Sequence, residues 1–165
     1  MRVVTLRATL LTAILVCVGC TASMRSLQSS FSSKFSLREL VERNKTRSGL
    51  DCSSGGAGGG GGGGSRSGKE FRLHKSESFS CRLSDSAEKF DEASFIAALK
   101  RDVEGDLRES GAKITDSGSP TASNFYFEYE QELGRGRVEI TGRTIRDNYY
   151  SLNADLEERD KSDSK

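Results

Sequence analysis

From Phe125 to Leu133, apolar and charged side chains alternate without a break. Phe125, Phe127, Tyr129, Gln131 and Leu133 interleave with Tyr126, Glu128, Glu130 and Glu132. A period of two is that of a strand with one face buried, and a helix cannot satisfy it. Two further runs continue the pattern. Val138, Ile140, Gly142 and Thr144 share one face, against Arg137, Glu139, Thr141 and Arg143. Tyr150, Leu152, Ala154 and Leu156 share another, against Ser151, Asn153, Asp155 and Glu157. A turn at Arg135-Gly136 pairs Leu133 with Val138 and Gln131 with Ile140, and lays Tyr129 over Gly142. A three-residue turn would flip one strand inside out, so the parity rejects it. A turn at Arg146-Asp147-Asn148 then pairs Gly142 with Leu152, Ile140 with Ala154 and Val138 with Leu156. The stretch from Asn124 to Glu157 therefore predicts a three-stranded antiparallel meander.

Upstream, Phe71 to Leu83 reads as one or two short strands with Phe79, Cys81 and Leu83 inward. Asp85-Ser86 caps a helix expected to run to about Ser110. Its apolar stripe is Phe95, Ile96, Leu99, Val103 and Leu107, and Gly111 stands at its C-terminal cap. Ala112 to Asp116 can form one more strand, SGSPTASN a loop, and ERDKSDSK (158–165) a disordered, solvated tail. Residues 70–157 are thus expected to be a small α+β domain: one amphipathic helix packed on an antiparallel sheet that ends in the meander.

The first part of the chain has a different composition. Residues 1–70 carry ten Lys/Arg against four Asp/Glu, a net +6, and residues 71–165 carry fifteen against twenty, a net −5. An acidic body argues against a nucleic-acid module, which needs a basic face. Residues 20–54 read as a flexible, Ser-rich arm with one short helix, begun by the capping box Ser36-x-x-Glu39 and carrying Leu37, Leu40 and Val41. Asn44-Lys45-Thr46 is a glycosylation sequon. Residues 55–69, with half of the chain's 18 glycines in the tract 55–64, read as a linker. Gly63 to Lys69 fits the G-x4-G-K phosphate loop, but Glu70 replaces the hydroxyl that magnesium needs and polyglycine precedes it. No nucleotide is expected.

Met1 to Gly19 reads as an export signal. Arg2 and Arg7 precede the uncharged run Ala8 to Val18, the length of a signal core and short for a membrane span. Its end, Val16-Cys17-Val18-Gly19-Cys20, resembles the lipobox of bacterial lipoprotein precursors, with Cys17 where leucine is usual. The resemblance implies lipidation at Cys20 and a lipid-anchored place in the cell envelope, with Thr21 compatible with the outer membrane. The same residues also fit cleavage to a secreted protein, an uncleaved anchor spanning Ala8 to Met24, or an organellar transit peptide.

Export permits a disulfide between Cys52 and Cys81. Closing that loop would contribute roughly 3.5 kcal/mol in the chain-entropy model. His74 is the only histidine, and it lies on the opposite strand face from Cys81. No nucleophile elbow and no metal-ligand spacing occurs, so no catalytic residues, metal or cofactor are expected. In the predicted register Glu132, Glu139 and Asp155 line up on the outer face, and Tyr126, Ile145 and Tyr149 cluster at its other end. The acidic line suits a basic partner, a weakly held hard cation such as calcium, or simply a solvated face, and the aromatic cluster suits protein recognition or cover by the Phe71–Leu83 segment. The resulting expectation is a membrane-tethered, non-catalytic envelope lipoprotein whose partners are the membrane and an unidentified protein. The alternatives are a small secreted enzyme of hydrolase type and a structural or stress-related surface protein.

Overall fold

The computed structural model describes residues 31–48, 50–51, 61–67, 70–83, 90–132, 134–146 and 149–160. Helices α1 (Phe31–Lys34) and α2 (Leu37–Ser48) come first, then strands β1 (Leu50–Asp51), β2 (Gly61–Ser67) and β3 (Glu70–Leu83). Helix α3 (Glu92–Glu109) follows, and then four strands in succession: β4 (Lys113–Thr121), β5 (Asn124–Gln131), β6 (Gly134–Arg146) and β7 (Tyr149–Asp160). The fold class is α+β. One antiparallel sheet in the order β1-β3-β7-β6-β5-β4, with β2 also paired to β3, carries the helices on one face. The meander therefore has four strands, and β3 closes back onto its last one.

The alternation is realised residue by residue. Phe125, Phe127, Tyr129, Val138, Ile140, Tyr150, Leu152, Ala154 and Leu156 are all buried, and Phe95, Ile96, Leu99, Val103 and Leu107 of α3 pack down on them. Asp91 caps α3, accepting from the Ser94 amide at 3.0 Å and the Ser94 hydroxyl at 2.6 Å. The helix therefore starts at Glu92, later than the expected Asp85-Ser86, because Asp91 is the residue that satisfies its first-turn amides. At the other end Gly111 adopts φ +79°, the left-handed conformation that glycine enters without steric cost.

The β6–β7 register is the predicted one: Gly142 faces Leu152, Ile140 faces Ala154 and Val138 faces Leu156. The strand pair stays in register through Thr144, bulges at Ile145, and pairs Arg146 with Tyr149. The β5–β6 register corrects the prediction. Gln131 faces Gly134, Tyr129 faces Gly136 and Phe127 faces Val138. The turn lies between Gln131 and Gly134, three residues earlier than Arg135-Gly136. Parity is unchanged by this shift, so the same side chains stay inside. Glycine decides the register: a Cβ on Gly136 would come 2.4 Å from the Tyr129 ring, so Tyr129 requires a glycine directly opposite. Gly142, diagonal to Tyr150 across the β6–β7 pair, also makes room for a tyrosine: the Tyr150 hydroxyl would lie 1.8 Å from an added Cβ.

Four other boundaries move. β4 runs to Thr121 as an edge strand with two register shifts, and Pro120 is tolerated there because an edge position leaves its missing N–H unneeded. Part of the expected linker, Gly61–Ser67, is strand β2, paired along Glu70–Ser76. Strand β7 extends to Asp160, beyond the expected end at Glu157. The largest correction concerns the arm. Residues 31–48 are built into the domain, with Phe31, Phe35, Leu37, Leu40 and Val41 in the core. The three apolar residues of α2 suffice because Phe31 and Phe35 precede them and the sheet supplies polar anchors.

Candidate functional site

Those anchors form the most unusual polar site among the described residues. Glu158 is the next inward position of β7 after Leu156, and it is 3% exposed. Its inner row runs Leu73, Glu158, Gly136, Tyr129 across four strands. Gly136 has no side chain, so Tyr129 reaches over it and donates its hydroxyl to Glu158 Oε1 at 2.8 Å. Ser32 of α1 donates through Oγ to Oε2 at 2.6 Å and through its amide to Oε1 at 3.3 Å. Burial, and then the adjacent Glu158 carboxylate, push the Tyr129 phenol well above its ordinary range. The phenol therefore stays a donor at every physiological pH.

A second set lies one turn along. Glu77 accepts from the Leu37 amide at 2.7 Å, capping α2, while Lys75 pairs with Glu77 at 2.8 Å and donates to the Phe35 carbonyl. Arg43 forms a two-pronged pair with Asp106 at 3.1 and 2.6 Å, which raises the guanidinium pKa further. Asn44 is buried and donates to the Leu40 carbonyl and to Asp102. Its amide is committed to the fold, so the sequon is not an accessible glycosylation site. All these donors and acceptors are spent in holding α1 and α2 to the body. A groove of about 670 Å³ beside them, at the C-terminal end of α3, is lined by both charge signs, including Arg38, Glu39, Glu42, Arg43, Asp106 and Glu109. Among the described residues, no group of three or more His, Cys, Asp or Glu is placed to hold a metal ion.

On the sheet face away from the helices, the predicted surface residues separate. Glu139 does face Asp155, but its other partner is Tyr126 rather than Glu132. Glu132 sits in the β5–β6 turn, so the expected three-carboxylate line does not form. Arg137 reaches Glu128 at 2.9 Å and Glu139 at 3.0 Å and lies 4.2 Å from the Tyr126 ring centroid. The Asn124 amide and then Arg137 hold the Glu139 carboxyl below its ordinary value. Tyr126 also donates to Asp116 at 3.1 Å. With its strand partner fixed as Glu139, Tyr126 is not beside Ile145 and Tyr149. Tyr149 pairs with Arg146 rather than with the expected Ile145, which falls in the bulge at the same β6–β7 end. Among the described residues Ile145 and Tyr149 are the exposed large hydrophobic ones, 50% and 38% exposed.

His74 faces Asp155 at 3.8 Å on the outer surface, and Cys81 is buried on the inner one. Cys81 is disulfide-bonded. Cys52, its expected partner, lies outside the described residues, as do Cys20 and the whole export signal. The buried Glu158 centre was missed because it sits in a charged string that reads as a tail. The signal that could have found it is parity: 150, 152, 154, 156 and 158 fall on one face. No family model, curated protein or solved structure matches the chain.

Proposed function

We propose that the protein is a lipid-anchored, non-catalytic component of the bacterial cell envelope, tethered through Cys20, that offers its α+β domain to a protein partner. The observation that carries the recognition half of this reading is the pair Ile145 and Tyr149. Large apolar groups exposed at one end of a sheet are what a protein interface uses as its apolar centre. Helix α1, where the chain from the anchor enters, lies at the opposite end of the sheet, beside Glu158 and the β5–β6 turn. The partner surface thus points away from the anchored end.

The packing of residues 31–48 changes the tether. Ten residues, Thr21 to Ser30, separate Cys20 from Phe31. Fully extended they span at most about 40 Å. The glycine tract lies downstream of α1 and α2, so it does not separate anchor from domain.

The test is a photo-crosslinking residue placed at position 149 in the full chain in cells, with position 126 as the control. A discrete adduct at 149 that is lost in Ile145→Ser, with none at 126, supports the reading. Equal adducts at both positions, or none at 149, would contradict it. Tyr149→Ala is expected to abolish the adduct partner's co-purification while changing stability by no more than about 0.5 kcal/mol, as for other surface substitutions.

A further inference from the structure

The outer face of the sheet is sorted by charge along the strands. At the end where α1 enters, one cross-strand row runs Lys113, Glu130, Arg135, Arg159, Arg72 over five strands, each residue the direct partner of the next. That is four cations and one carboxylate. The next row toward the middle, Glu128, Arg137, Glu157 and His74, has two carboxylates to one arginine. The following row sets Glu139 against Asp155. A basic strip therefore borders the acidic middle rows at the end where α1 enters, while at the far end Arg143 and the two cross-strand partners of Tyr149, Arg82 and Arg146, form a second basic group with no tether beside it.

Like charges directly opposite one another across strands oppose pairing. Here three arginines stand side by side, Arg135 facing Arg159 and Arg159 facing Arg72. Arg159 has Glu157 only at 3.5 Å, with both side chains well exposed. Neighbouring strands are about 4.8 Å apart, so the backbones that carry the three arginines span about one lipid headgroup or slightly more. Their backbones adjoin the Glu158 row that fastens α1: Arg159 follows Glu158, Arg72 precedes Leu73 and Glu130 follows Tyr129. The basic strip and the entry of the tethered segment thus share one end of the domain.

We infer that this arginine row is a membrane-facing contact that takes the phosphate groups of anionic lipid headgroups and sets the orientation of the tethered domain. The inference rests on the lipid-anchored reading above. Charge complementarity and the position of the tether select the occupant: a segment of ten residues holds this end near the bilayer, and a headgroup layer is the polyanion present there. Attraction of this kind weakens about fivefold for each cation removed, and it is screened by salt. With the row toward the bilayer, Ile145 and Tyr149 face outward.

The experiment uses the full chain reconstituted in vesicles of phosphatidylcholine alone or mixed with phosphatidylglycerol, and labels arginines with phenylglyoxal. Flotation with the neutral vesicles reads the anchor separately from the inference. Labelling of Arg135 is expected to fall about fivefold or more in the phosphatidylglycerol vesicles, with Arg143 near the other end unchanged, and to recover in high salt. The pair Arg72→Gln and Arg159→Gln should restore Arg135 labelling, while Arg72→Lys and Arg159→Lys should not. A chain that floats but labels Arg135 equally in both vesicles overturns the inference and leaves the anchor standing. Protection by inorganic phosphate over neutral vesicles as full as that by phosphatidylglycerol also overturns it, making the ligand a soluble anion. A chain that does not float overturns both readings.

Discussion

Gly136→Ala is a small change with a large predicted effect. An added Cβ would lie 2.4 Å from Tyr129 Cζ and 2.5 Å from its hydroxyl oxygen, closer than real Cβ contacts occur. β6 lies between β5 and β7 in the interior of the sheet, so its backbone cannot yield and the ring must. Overpacking of this kind costs about 1–3 kcal/mol. A displaced ring also gives up its 2.8 Å hydrogen bond to buried Glu158, which adds about 1.5–3 kcal/mol for a charged acceptor. The expected loss is about 3–5 kcal/mol, a large part of a small domain's stability. Urea unfolding of the oxidised protein should show it as a midpoint shift with an unchanged slope. The control is the same substitution in a Tyr129→Leu background, where the clash is gone and alanine should cost no more than glycine. The cycle should therefore give a coupling of about 3 kcal/mol. A Gly136→Ala loss below about 0.5 kcal/mol, or one equal in both backgrounds, would refute the reasoning.

Three further outcomes follow from the same geometry. Non-reducing peptide mapping is expected to find Cys81 linked to Cys52: Leu50 faces Leu83 and Asp51 faces Arg82, and that register, continued by one residue, would set 52 opposite 81. Cys52→Ser should cost roughly 3.5 kcal/mol, and a linkage of Cys81 to any other cysteine would contradict the register. Ser32→Ala removes one donor from buried Glu158 and should cost about 1–3 kcal/mol, whereas a neutral result in urea unfolding would mean that α1 is not fastened there. Asp91 and Glu139 both titrate below their ordinary values of 3.8 and 4.5 when folded. The unfolded chain therefore takes up these protons first as pH falls. Their contribution is fully present above about pH 4.5 and is lost as pH falls through the folded values. Stability that rose as pH fell from 5 to 3 in wild type, relative to Asp91→Asn or Glu139→Gln, would reverse that sign.

The inward faces of β5, β6 and β7 were legible because side-chain parity survives any shift by an even number of residues. For that reason a turn set at Arg135-Gly136, instead of between Gln131 and Gly134, still puts Phe125, Val138 and Leu156 inside. The shift did break every cross-strand neighbour on the outer face, so Tyr126 was wrongly set beside Ile145, and Glu132 beside Glu139. A glycine's role as the floor under a tyrosine depends on the partner strand, and nothing local in Gly136 announces it. Helix α2 was underestimated for a related reason. Its anchor Glu77 lies 40 residues from Leu37, and Glu158, which fastens the preceding α1, lies 126 residues from Ser32, beyond the reach of any periodicity. The outer basic row depends on the same pairing: Arg72, Arg135 and Arg159 become neighbours only once β3 joins β7 and β7 joins β6.

The lipid anchor at Cys20 is the claim on which the orientation, the tether length and the envelope location all depend. Its most direct test is the intact mass of the protein from a membrane fraction, beside a Cys20→Ala variant. The account predicts a chain that begins at Cys20 and carries a diacylglyceryl or triacyl adduct, with the variant lacking both the adduct and the cleavage. An unmodified chain cut near Gly19, one cut well downstream of Cys20, or one still beginning at Met1 would contradict it.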